Sequence, residues 1–138
     1  MRDLMMEMYE KFVNDPVISK YIKQNDIKFY TYPNAKDIKN ALIVIDEIIS
    51  PTTNNFADNN PLTYEYVFQI DIFIKQNSNN VNGSLVSREL ILRISKIMWQ
   101  TFDFAEFNSM KPEFIEDFNL YRQSKQFKGR KYIEEMEQ

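Results

Sequence analysis

The side chains in this chain that could do chemistry are carboxylates, lysines, arginines and tyrosines, because it has no histidine and no cysteine. Histidine changes charge near neutral pH and is the commonest metal ligand. Cysteine is the most reactive nucleophile and the soft metal ligand. An enzyme built without either would depend on paired acids, and three sets stand near expected strands: Asp46/Glu47, Asp71 and Glu116/Asp117. Two of them, suitably placed, could cleave a glycosidic bond or hold a divalent cation. The alternative is that they line the solvent face of a sheet, as strand acids ordinarily do. With Gly83 and Gly129 as the only glycines, a glycine-rich phosphate cradle is nearly excluded, and no calcium loop or nucleophile elbow occurs.

A second group is cationic. Arg122, Lys125, Lys128, Arg130 and Lys131 are interleaved with Tyr121, Phe127 and Tyr132. Cations on phosphates and rings on bases would bind nucleic acid, making the chain a nucleic-acid-binding or regulatory module. Against this, the formal net charge of −3 gives no general attraction to polyanions or anionic membranes. The same cations could instead balance the acids of Glu134–Glu137, pair with a neighbouring subunit, or protect an edge strand.

These residues need a scaffold. Apolar residues at 43% and aromatics at 14% suffice for a core without disulfides or metal in one domain spanning residues 1–138. The longest uninterrupted apolar run, Ala41–Ile45, is far short of a membrane span, and the acidic start does not read as a signal peptide. Residues 1–14 predict a helix with Leu4, Met5, Met8 and Phe12 on one face. Asp15-Pro16 ends it and caps a short second helix carrying Val17, Ile18, Tyr21 and Ile22. Ile27–Tyr32 alternates as a strand before a turn at Pro33-Asn34. Ala41–Ile49 predicts a strand apolar on both faces, covered on both sides or placed at a subunit contact through residues such as Leu42 and Val44.

Ser50–Pro61, polar and rich in turn formers, predicts a long loop with Phe56 as its lone large apolar residue. Leu62–Lys75 carries the clearest period of two: Tyr64, Tyr66, Phe68, Ile70, Ile72 and Ile74 share one face. A polar loop, Gln76–Ser84, leads to a helix over Leu85–Phe102, with Ser84 as its expected cap. Beyond an irregular stretch, Asp103–Pro112, strands are expected at Phe114–Arg122 and Gln126–Ile133, the latter turned near Lys128-Gly129, with a frayed acidic tail over Glu134–Gln138. The result is an α+β fold: a two-layer domain in which an antiparallel sheet of about four to five strands packs against two main helices.

The long helix carries two apolar lines. Leu90, Ile91, Ile94, Ile97 and Met98 form the expected core stripe, while Leu85, Leu92 and Trp99, spaced by seven, lie roughly opposite. A helix on a two-layer monomer buries one stripe. Either the C-terminal segment folds over the second, or it is a contact surface, where tryptophan is enriched.

Several segments in order resemble a family of small proteins from tailed phages and prophages of low-GC Gram-positive bacteria, the tail-terminator or tail-completion proteins of the head–tail joining region. They are Met5–Lys11, Ile27–Pro33, Ala41–Ile48, Phe56–Asn59, Leu62–Tyr66 into Gln69–Phe73, Ser87-Arg88-Glu89, and Tyr121-Arg122 before a basic end. The resemblance implies a structural protein with no enzymatic activity and no cofactor. It also implies self-assembly as a ring, commonly a hexamer, on the tail tube, stopping its growth and meeting the head connector protein. It places the chain in the virion tail, and in the host cytoplasm during assembly. Leu85, Leu92, Trp99, Leu42 and Val44 are then candidates for the subunit contact. Phe56 and Asp58, with Arg122, Lys125, Lys128, Arg130 and Lys131, are candidates for the surface that meets tube or connector.

Overall fold

A computed structural model describes residues 1–77 and 82–137. Its elements are α1 (Leu4–Val13), α2 (Pro16–Tyr21), β1 (Ile27–Phe29), β2 (Ala41–Ala57), β3 (Asn60–Lys75), α3 (Gly83–Phe102), β4 (Ala105–Ser109), β5 (Glu113–Ile115), β6 (Leu120–Tyr132) and α4 (Ile133–Met136). The fold is α+β, with one six-stranded sheet ordered β1-β2-β3-β6-β4 and β5 also paired to β6. The sheet is larger than expected, and β1 runs parallel to β2 while all other pairs are antiparallel.

The alternation of β3 organises the molecule. Phe68, Ile70, Ile72 and Ile74 are fully buried on one face, beside Ile43 and Ile45 of β2 and Phe127 of β6. Leu4, Met8 and Phe12 of α1, Ile18 of α2, and Leu90, Ile94 and Met98 of α3 join them in one cluster. On the opposite face a smaller cluster of Ile38, Leu42, Val44, Phe73 and Leu120 is covered by Ile115 of β5 and by Ala35 and Phe118 from 3-10 turns. Strand β2 is therefore apolar on both sides because both sides are covered within one chain.

Helix ends follow local chemistry. Asp3 caps α1 by accepting from the Met6 N–H, and Asp15 caps α2 by accepting from Val17 and Ile18. The α3 helix starts at Gly83, and its cap is Asn82, whose side chain accepts from the Leu85 N–H, rather than Ser84. An asparagine side chain already at the first turn leaves Ser84 inside the helix. Positions 78–81 of the loop expected before this helix, and Gln138 of the tail, lie outside the described residues.

Four expectations about the strands change. Ile27–Tyr32 shortens to β1 because Tyr30 takes a left-handed backbone, φ 59°. The expected loop Ser50–Pro61 is instead the far half of a hairpin. Asp58 and Asn59, at φ 50° and 65°, form a tight turn whose twist suits the two strands it joins. Pro51 is tolerated there because β2 has no other partner at that level and its register shifts between Ile49 and Thr52. The stretch expected to be irregular contains β4. The strand expected over Phe114–Arg122 is broken by a 3-10 turn at Glu116–Phe118 with Asn119 left-handed, after which β6 runs unbroken to Tyr132.

Gly129 thus serves a different purpose from a turn. A Cβ there would meet the Phe104 ring at 1.9 Å. Phe104, fully buried, follows the left-handed cap Asp103 of α3 and lies over the Phe68 ring, centroids 5.6 Å apart. The tail is not frayed over its described part: Met136 is buried, and its carbonyl accepts from the Arg2 N–H.

Two stability predictions arise from this packing. Gly129→Ala should cost about 3 kcal/mol in urea unfolding, since a buried ring must move, with part recovered by adding Phe104→Leu. Asp15 is buried and held by Arg93 Nη2 at 2.7 Å. Burial alone would raise its pKa, but Arg93 and the Ile18 and Val17 N–H groups outweigh it and hold the carboxyl below the usual range. A depressed folded pKa means stability present at neutral pH that is lost as pH falls below about 4. Asp15→Ala should therefore cost about 2 kcal/mol at pH 7, with a smaller difference from wild type in acid unfolding curves below that pH.

Candidate interaction surfaces

The acids that could have formed a catalytic pair are dispersed. Asp46 and Asp71 share the sheet face away from the helices, whereas Glu47 pairs with Phe68 and faces the other way. Glu116 and Asp117 sit exposed on the 3-10 turn. Asp71 is fully buried despite lying on the face without helices, because neighbouring side chains cover it. Arg122 Nη2 stands 3.4 Å from one carboxylate oxygen, and Gln69 donates to the other at 3.1 Å. Gln126 donates to Gln69 in turn, at 3.0 Å. The Tyr32 hydroxyl donates to Asp46 at 3.0 Å, and burial, then the charge of Asp71, pushes its pKa upward. Both carboxylates are thus occupied by donors. Among the described residues, no group of three or more acids is placed to hold a metal ion. Among the described residues, Arg122 Nε and, across the strand from Asp71, Ser124 Oγ are buried without a hydrogen-bond partner.

The basic residues do not form one patch. All five lie on or beside β6, which is flanked by β3 on one side and by β4 and β5 on the other, so it is not an edge. Arg122, Lys128 and Arg130 point to the face away from the helices, and Lys125 and Lys131 to the helix side, as alternation requires. Each has a partner. Lys125 pairs with Glu106 at 2.6 Å, and Arg130 and Lys128 approach Glu65 at 3.2 and 4.0 Å. Lys131 donates to the Phe102 carbonyl at the end of α3, where the helix dipole is negative.

The candidate contact residues separate clearly. Leu42 and Val44 are buried in the smaller cluster, so they present no surface to another chain. Leu85, Leu92 and Trp99 are 54%, 55% and 59% exposed. The C-terminal segment does not fold over them, because it is occupied as β6 within the sheet. Arg88 and Lys96 stand four residues to either side of Leu92 on the same helical face, a flanking of apolar by basic residues that is visible in the sequence spacing.

Phe56 and Asp58 lie at the tip of the β2–β3 hairpin. Pairing of β3 with β6 stops at Thr63 and Tyr132, so the pairs from Asn54 and Thr63 outward form a two-stranded arm. Thr63 Oγ1 donates to the Asn54 carbonyl and accepts from Asn55, fastening the arm at its base. Phe56 is exposed on it. Nothing in the polar composition of this segment announces a strand; its pairing with β3 creates one.

Among the described residues no helix is long and apolar enough to cross a membrane. No family model matches the chain, and no curated protein matches it.

If the Asp71 network is structural, removing its cation should be felt in stability. Arg122→Met should destabilise by about 2 kcal/mol at pH 7, because a buried carboxylate loses its compensating charge. Asp71→Asn in the same background should recover much of that loss in chemical denaturation.

Proposed function

We propose that the protein is a structural subunit without catalytic activity, of the tail-terminator type, which assembles as a ring on a phage tail. In this reading it occupies the virion tail, meets the tube protein on one side and the head connector on the other, and is cytoplasmic during assembly. The observation that carries it is the line Leu85–Leu92–Trp99, three large apolar side chains more than half exposed on one helix and left uncovered by the described residues. Exposed apolar surface of that kind marks a contact site. A two-layer arrangement, with the helices on one face of the sheet, leaves this line outermost on the helix layer and open to a neighbour. The hairpin arm supports the same reading. Projecting two-stranded segments gain stability when they lie against another surface, and the arm carries Phe56 at 65% exposure. The ordered resemblance to tail-terminator proteins supplies the ring, with six subunits as the expected number.

Sedimentation velocity from micromolar to millimolar concentration should show an oligomer, and negative-stain electron microscopy should show closed rings. Leu92→Glu and Trp99→Glu should each shift the distribution to monomer without changing the circular dichroism spectrum. A wild-type chain that remains monomeric across that range would overturn the proposal.

A further inference from the structure

The apolar line of α3 is bordered by uncompensated positive charge. Arg88 and Lys96 are exposed and have no ion-pair partner among the described residues, whereas the third cation of the helix, Arg93, is held by Asp15. A surface complementary to this one would be apolar, adaptable and acidic.

Such a surface exists at the other end of the helix layer, where α1 begins beside β1. Two adjoining cavities of about 320 and 270 Å³ share Asp3, Met5 and Tyr30. Met6 and Phe29 line one of them, and Glu47, Tyr66 and Arg2 the other, the Arg2 charge being taken up by Glu7 at 2.9 Å. Methionines make walls that adapt to an incoming side chain. The two acids, Asp3 and Glu47, have no cationic partner among the described residues. Burial, and then the charge of Asp3, holds Glu47 above the usual carboxylate range. Tyr30 adds an independent sign. Its left-handed backbone, φ 59°, is disfavoured for a residue with a bulky side chain, and strain of this kind collects at functional positions. The Tyr30 N–H is tied to the Ile45 carbonyl at 3.1 Å, and its ring lines both cavities while 56% exposed.

We propose that this groove receives the α3 face of a second copy of the chain, with Leu92 and Trp99 against the methionine walls and Arg88 and Lys96 over Asp3 and Glu47. The inference rests on the self-assembly reading above and adds which surfaces meet. Two different patches make a heterologous contact, which passes head to tail and closes into a ring when the rotation between copies allows it. A symmetric two-fold dimer would instead bring α3 against α3, setting like charges together.

The absence of cysteine makes the test direct. Leu92→Cys and Met6→Cys place one thiol on each exposed surface. Mixed and oxidised, the two variants should give a cross-linked dimer, and the chain carrying both should give a ladder of higher species. Either single variant alone should stay uncross-linked. Separately, Lys96→Glu and Glu47→Lys should each weaken association by about tenfold or more, as like charges meet, and an equimolar mixture of the two should recover much of it. A wild-type chain that never associates would overturn self-assembly and this contact together. Association that persists while the mixed cross-link fails to form, or Leu92→Cys that cross-links to itself, would overturn this contact alone.

Discussion

Strand β3 is paired along nearly its whole length, with β2 on one side and β6 on the other, from Asn60 to Ile74 and from Thr63 to Lys75. Because side chains alternate, that double pairing divides the molecule into two faces with different physics. On one, unbroken isoleucine and phenylalanine side chains require a cover, and α1, α2 and α3 provide it. On the other, Glu65, Gln69 and Asp71 exclude a continuous apolar cover, and the apolar cluster at the Phe73 end is closed over by Ala35, Ile115 and Phe118. A one-residue slip of β3 would place Asp71 in the core and the isoleucines in water. Every surface considered above inherits its position from this register.

The same register explains why the charged residues read as chemistry in the sequence and as structure in three dimensions. Alternation distributes the five cations of the C-terminal segment over both faces, and cross-strand neighbours bring acids to them. Glu65 serves two of the cations, and Glu106 a third. Asp46 and Asp71, which could have worked as a pair, are engaged by Tyr32, Gln69 and Arg122. Exposed ion pairs of this kind contribute little stability individually, but they leave little free charge on β6. Arg88 and Lys96 on α3, and Asp3 and Glu47 around the start of α1, are among the charges without an ion pair between described residues, and apolar groups are exposed beside them.

Much of the scaffold was legible from local patterns. The alternation over Leu62–Lys75, the apolar stripe of α3, the Asp-Pro boundary between α1 and α2, and the existence of a second apolar line, Leu85–Leu92–Trp99, all depend on spacing within one element. The misread segments depend on partners far away in sequence. Ser50–Pro61 has the composition of a loop and becomes strand because β3 supplies the hydrogen bonds. Gly129, which reads as a turn, is a strand residue made small by Phe104 from another element. Leu42 and Val44, exposed on a strand considered alone, are covered by Ile38, Ile115 and Phe118.

The amino-acid sequence by itself determined the element types wherever a period persists for a dozen residues, and it determined the chemical vocabulary, since a chain without histidine or cysteine has few reactive groups to deploy. Tertiary structure alone decided which charges are neutralised, which apolar residues stay in water, and where Tyr30 is forced into a left-handed backbone. The physical reason is range. Periodicity and capping act over one or two turns of chain, whereas compensation of charge and covering of apolar surface are set by neighbours that only folding brings together, as Arg93 is brought to Asp15 across 78 residues of sequence.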